Sequence, residues 1–517
     1  MDKVRKISTT ETDPVSYERN LLNVAKGGGI VYGGKLFLSL SRLVTVIVLA
    51  RLLSVEQYGL YNLALSAANV AIAIAILGLD TALVRYIAIA ASRKDDTSLW
   101  GSLQVGITLS VLLSALTSTL LFALAYPLAT QVFDKPELAP LLQLVSLIIP
   151  FLVLSDVLAG ATRGFKKMQY MVIAQHIAQP VIRLILIIVL SLTGMTPAWA
   201  IITFGVADGI ASLMLLYFLN KQFSLRRPVQ LRRNDFREIL GFSLPLWFAE
   251  LMVTFRGNVQ TILLGSLSTI ANVGIFSVVA QVNQIGQMLY TAVTAAARPM
   301  IAELHDRDER EQMGRLYQTT TNWVMMVNLP VFLIMVLFPV PILSIFGKSF
   351  IDGASALIIL AFANFVNIGT GMCGAIIEMT GYTKLKLINT SIRMVSSIGL
   401  NLVLIPAWGL VGAAVAALAV EVIVNSIILL QVWMLFRLAP YNKAFLKTLL
   451  AGCAAFAAAF MTNQILPVDE LPIYALVSLI VMLAVYAGVS LGLGLAPEDR
   501  LLVSRLQRRI GNLVGWT

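Results

Sequence analysis

Charge is scarce in this sequence. Asp, Glu, Lys and Arg together make 13% of its 517 residues, where a soluble domain carries about 25% to keep its surface in water. With 58% hydrophobic residues and a mean hydropathy of +0.84, the outside of the fold is expected to face lipid. Histidine and cysteine are nearly missing too. His176 and His305 are the only imidazoles, and Cys373 and Cys453 the only thiols. That is too little for a His- or Cys-based metal centre, and both cysteines sit in apolar runs where no disulfide is expected. No GxxxxGK[ST] stretch occurs, so the chain is not expected to hydrolyse ATP itself, and no cofactor is implied. Alternation of period two is absent, which excludes a β-barrel. No cleavable signal is expected, because the first 26 residues are polar and the first apolar run is a full span.

What the sequence has in quantity is long apolar runs. They lie near 28–53, 58–79, 99–125, 138–160, 170–192 and 198–220, and then near 239–267, 271–296, 318–346, 354–378, 384–405, 408–436, 444–466 and 472–495. Each is long enough for a transmembrane helix, which needs about 20 apolar residues. The distribution of Lys and Arg tests the count. With the N-terminus inside, 30 of the 38 basic residues fall on cytoplasmic segments, three (Arg51, Lys135, Lys348) on outside loops and five within spans. A bias of that size follows the positive-inside rule with no exceptional loop. The expected fold is therefore an all-α polytopic membrane protein of about fourteen transmembrane helices, both termini cytoplasmic. The net charge of +11 reads as orientation charge against anionic lipid rather than a nucleic-acid footprint.

Self-comparison exposes a repeat. Arg42 matches Arg256, Tyr58-Gly59 matches Val273-Gly274, and Arg85 matches Arg298. Further on, Arg183 matches Arg393, and Pro197-Ala198-Trp199 matches Pro406-Ala407-Trp408, at offsets of 214, 215, 213, 210 and 209. An even number of spans separates each pair, so the halves run the same way through the membrane. The expected organisation is a cytoplasmic segment 1–27, a lobe 28–220, a basic linker 221–238, a second lobe 239–437, two further helices in 438–497 and a cytoplasmic tail 498–517.

Four arginines, Arg42, Arg183, Arg256 and Arg393, fall near the centres of their spans. Each would cost roughly 2.5–3.5 kcal/mol facing lipid, so each needs an aqueous cavity or a partner. One reading is a net-positive cavity for an anion such as pyrophosphate, which the planar guanidinium suits. The other is neutralisation by acids, with Glu250, Asp208 and Glu421 available. The same three acids are candidates for cation coupling, while Lys35, Arg85 and Arg298 are candidates for a cytoplasmic portal. His176 is read as a helix-packing residue, and segments 85–94 and 303–316 as short amphipathic surface helices.

The stretches SRLVTVIVLARLLSVEQYGLYNLALS, LGLDTALVRYIA, VGIFSVVAQ and RPMIAEL resemble the Wzx-like polysaccharide-unit flippases of the multidrug/oligosaccharidyl-lipid/polysaccharide exporter superfamily. The resemblance implies two six-helix lobes plus two helices around a central cavity. It also implies alternating access, and transfer of a polyprenyl-pyrophosphate-linked oligosaccharide from the cytoplasmic to the outer leaflet. The setting it implies is a prokaryotic cytoplasmic membrane, beside polymerase and export proteins. Such a protein is a transporter and not an enzyme. Competing readings are a cation-coupled drug antiporter, a peptidoglycan-precursor (lipid II) flippase and a membrane glycosyl polymerase. The drug-exporting branch commonly carries an acid on its first helix, and none is present between Gly28 and Leu53.

Overall fold

The computed structural model describes residues 14–223, 233–466 and 472–494. The tail 498–517, and parts of the N-terminal segment and the basic linker expected from the sequence, lie outside the described residues. The described residues are helical throughout, with no strand. The chain divides into two compact units. One takes Ala64–Asn258 together with the stretch that ends at Leu52; the other takes Leu53–Leu63 and the chain from Val259 onward.

The first unit is built from α1 (Pro14–Leu52), most of α2 (Val55–Ile76), α3 (Leu79–Arg93), α4 (Asp96–Pro127), α5 (Leu138–Gly164), α6 (Met168–Met171), α7 (Gln179–Ser191), α8 (Pro197–Gln222) and the start of α9 (Arg233–Leu267). Its helices begin where the sequence supplies caps. Asp95 accepts from the amides of Thr97 and Ser98, both at 3.1 Å, and Thr196 from that of Trp199 at 3.3 Å, each satisfying an otherwise orphaned donor. Prolines account for two local widenings. Pro180 cannot bond the carbonyl four residues back, that of His176, and the helix before it relaxes into a π-helical segment, Val172–Ala178; a second one, Leu128–Val132, follows Pro127.

The second unit continues with the end of α9, α10 (Ile270–Asp306), α11 (Arg310–Leu337), α12 (Pro339–Ser344), α13 (Ala354–Gly369), α14 (Cys373–Met379), α15 (Thr383–Phe436), α16 (Lys443–Ile465) and α17 (Pro472–Gly492). As one straight helix, the 54 residues of α15 would reach about 80 Å, far beyond the ~30 Å hydrocarbon core. Gly409, with φ 53° and ψ −122°, breaks it where the sequence separates two apolar runs. The repeat-matched glycines Gly59 and Gly274 lie backbone to backbone in this unit. A Cβ on Gly59 would collide with the Ile270 carbonyl, and one on Gly274 with that of Val55. Small residues permit such close helix crossings in membranes.

Among the described residues, eleven helical stretches are long and apolar enough to cross a membrane, with α15 counted once. Helices α1 and α10, of 39 and 37 residues, are not among them; they carry Lys35 and Arg42, and Gln281, Asn283, Gln284 and Gln287, respectively. The two surface helices expected at 85–94 and 303–316 are not separate elements. The first is the end of α3, and the second is the turn between α10 and α11 with the helix ends beside it.

Candidate functional site

Within the first unit, two interruptions of helical backbone meet one cavity. The first is the α2–α3 break, where Leu77 (φ 48°) and Gly78 (φ 68°) both adopt left-handed conformations. A side chain at Gly78 would also meet the Ser243 carbonyl of α9 at 2.8 Å. The second is the π-helical turn before Pro180, which presents Gln175 and His176. Interrupted helices at membrane depth are tolerated where they line polar space, and both kinds recur at functional sites. Trp247 anchors α9 here by donating from Nε1 to the Ala73 carbonyl at 2.8 Å.

The cavity measures about 650 Å³ and is lined on its polar side by Lys35, Asp80, Thr81, Asp156, Arg163, Gln175, His176 and Glu250. Arg163 Nη2 lies 3.3 Å from Asp80 Oδ2, and Gln175 Nε2 donates to Asp156 Oδ1 at 3.1 Å and to Ser155 Oγ at 3.0 Å. Gly160 holds α5 tightly against the Asp80 backbone, since a Cβ there would collide with the Asp80 carbonyl. Gly34 does the same for α1, where a Cβ would stand 2.9 Å from His176 Nδ1. His176 is 8% exposed, and its Nδ1 has no hydrogen-bond partner among the described residues. No group of three His, Cys, Asp or Glu among the described residues is arranged to hold a metal ion.

The sequence profile of the polysaccharide biosynthesis proteins matches residues 24–305, which include every residue of this cavity. The chain belongs to the polysaccharide biosynthesis protein family. A second profile, MatE, matches residues 245–403. Among curated relatives, the probable low-salt glycan biosynthesis flippase Agl15 of Haloferax volcanii is 26% identical over 34% of this chain and 37% of its own length. The match thus spans little more than a third of that relative. Two solved structures share the fold. The lipid II flippase MurJ, in an inward closed conformation, superposes with a TM-score of 0.72 at 14% identity, over 88% of this chain and 97% of that one. An inward-facing multidrug resistance MATE family transporter of the MOP superfamily gives 0.65 at 19%, over 77% and 94%. The fold is that of these transporters, and the chain is a multi-pass membrane protein.

Of the residues singled out from the sequence, Lys35 and Glu250 line the cavity. Arg42 and Arg256 are exposed side chains of α1 and α9 and do not line it. Arg183 stacks its guanidinium 4.6 Å from the Phe204 ring centroid, and Asp208, 5% exposed, accepts from Gln179 Nε2 at 2.7 Å. Arg85 sits 4.4 Å over Phe242. In the second unit, Arg298 lies 3.4 Å from Glu378, which Lys386 also pairs at 2.5 Å. Arg393 is ion-paired with Glu421. The Glu421 carboxylate also accepts from Asn425 Nδ2 at 2.7 Å, and Asn425 Oδ1 accepts from Thr370 Oγ1 at 3.3 Å.

Asp80, Asp156, Arg163 and Gln175 escaped the sequence reading. Asp156 had a usable signal, a carboxylate inside the apolar run 138–160, which costs several kcal/mol unless it faces polar space. Asp80 and Arg163 read as loop residues, and only the tertiary structure folds them back to the cavity.

Proposed function

We propose that this chain is a flippase that carries a polyprenyl-pyrophosphate-linked oligosaccharide from the cytoplasmic to the outer leaflet by alternating access. The observation that carries the reading is a large, charge-lined cavity, inside an otherwise apolar helical unit, in a chain of the polysaccharide biosynthesis family. A hydroxyl-rich glycan and a pyrophosphate cross hydrocarbon only if polar protein groups replace their water; the polyprenyl tail stays in lipid. In this reading Arg42, Arg183 and Arg256 supply charge for the pyrophosphate. Arg393 shares its charge with Glu421 and contributes least, and Lys35, Arg85 and Arg298 serve the cytoplasmic entrance. The chain crosses the membrane fourteen times, with α1, α10 and both halves of α15 as spans. Its lobes are 28–220 and 239–437, its termini face the cytoplasm, and its place is a prokaryotic cytoplasmic membrane near polymerase and export proteins.

The test is replacement of Arg42 or Arg256 by Ala in cells whose own copy is deleted, with mass spectrometry of lipid-linked intermediates. Accumulation of the complete lipid-linked unit at normal membrane abundance of the variant is expected. Lys restores part of the transfer, because it keeps the charge and loses the bidentate fork. Normal transfer by both Ala variants would remove the anion role. A cation-coupled small-molecule antiporter is the second reading, favoured by the three carboxylates in the cavity. Efflux of a cationic dye driven by a sodium or proton gradient in proteoliposomes, with no effect of deletion on lipid-linked glycans, would establish it instead. Glu250, Asp208 and Glu421 are the acids to change first in that assay.

A further inference from the structure

The cavity of the first unit has a charge pattern that selects its occupant. Its carboxylates are Asp80, Asp156 and Glu250, and its permanent cations are Lys35 and Arg163. Arg163 is already committed to Asp80 at 3.3 Å. None of the four arginines assigned to pyrophosphate lines it. An anion placed there would face a net negative wall, and like charges brought together away from water cost several kcal/mol. The remaining polar groups suit hydroxyls. Thr81 and Gln175 line the space, and Asp156 keeps Oδ2 beyond the bond that Gln175 makes to Oδ1. At about 650 Å³ the space lies within the ~300–1,000 Å³ of small-molecule sites.

We propose that this cavity is a sugar subsite that accepts an uncharged or amine-bearing sugar residue and rejects an acidic sugar or a phosphate. The proposal rests on the flippase reading for its cargo and goes beyond it in dividing that cargo: the sugar enters the cavity of the first unit while the pyrophosphate is held elsewhere. The Asp156 and Glu250 carboxylates take the sugar's hydroxyls or its ammonium. Gly34 and Gly160 keep α1 and Asp80 close enough for the wall to be continuous.

Full-length protein in nanodiscs tests this by saturation-transfer NMR with four probes: glucosamine, N-acetylglucosamine, glucuronate and inorganic pyrophosphate. Glucosamine and N-acetylglucosamine are expected to bind, and glucuronate and pyrophosphate to compete for their site at least about tenfold more weakly. Asp156→Ala should weaken both neutral and amino sugars. Glu250→Gln, at an exposed position, should cut the preference for glucosamine over glucuronate to about threefold or less. Equal or tighter binding of glucuronate or pyrophosphate at that site overturns the proposal, as does sugar binding untouched by both variants, or no sugar binding at all. Lipid flipping measured on the same preparation separates the two readings. A protein that discriminates sugars and flips no lipid-linked glycan fails the function and keeps the subsite. One that flips and discriminates nothing does the reverse.

Discussion

Arg393 and Glu421 make the most direct test of how this protein tolerates charge inside its helical core. Their side chains are 17% and 26% exposed, and the carboxylate has one further partner, Asn425 at 2.7 Å. Removing one member of a fully buried pair costs about 3–5 kcal/mol, because the other charge is stranded. Partial exposure and the surviving bond from Asn425 reduce that here to about 1–3 kcal/mol for Arg393→Ala. Glu421→Gln should cost a similar amount by stranding the guanidinium. The double variant removes both charges while the side-chain amide oxygen introduced by Glu421→Gln still accepts from Asn425, so it should recover to within about 1 kcal/mol of the parent. Thermal unfolding of detergent-solubilised protein, followed by fluorescence-detected size exclusion and read beside membrane abundance, gives the order of the three. A destabilised Arg393→Ala protein that the second change rescues is the expected pattern. An Arg393→Ala protein as stable as the parent, with a double variant no better, would refute the view that this arginine is held by its acid. It would return Arg393 to the anion-binding set.

Gly59→Val or Gly274→Val should each lower membrane abundance, with a stability loss of about 1–3 kcal/mol from overpacking at a backbone crossing; unchanged expression of both would show that the crossing yields. For topology, Glu137→Cys should react with a membrane-impermeant maleimide in intact cells of a Cys453→Ala background, and Arg307→Cys should react only after permeabilisation. Equal labelling of both would break the fourteen-span arrangement. Gly160→Leu should displace Asp80 and abolish transfer, with Gly209→Leu, where only the Phe151 ring edge lies near at 3.9 Å, as the tolerated control.

The gross architecture was legible because lipid imposes one rule on every span. Long apolar runs declare helices, and the break in α15 at Gly409 sits at the start of the run 408–436, separable by eye from the run 384–405. Interruptions inside a run left weaker traces. The apolar run 58–79 ends just past Leu77-Gly78, so Asp80 reads as the start of a loop and not of a helix, and the π-helical turn before Pro180 changes hydrogen-bond register without changing composition. Those two features shape the cavity, which is why Lys35 and Glu250 could be named as candidates while Asp80, Arg163 and Gln175 could not. Central charge pointed to arginine because arginine in a span is conspicuous. The cavity is richer in carboxylates, one of them, Asp80, standing just past a helix interruption.

The repeat sharpens the same point. Arg183 and Arg393 are matched at an offset of 210, and Asp208 and Glu421 fall 213 apart, inside the same register. Equivalent positions have met different fates. In the second unit the arginine and the acid pair directly and Asn425 closes the network. In the first, Gln179 takes the Asp208 carboxylate and Arg183 lies over Phe204. In the second unit a small polar void at Asn328 and Asn364 has room for about a single water. In the first unit the charge-lined cavity of about 650 Å³ opens beside the α2–α3 break and the π-helical turn. Matching stretches of sequence thus carry different polar contacts: an ion pair joined by Asn425 in the second unit, and a Gln179–Asp208 hydrogen bond in the first.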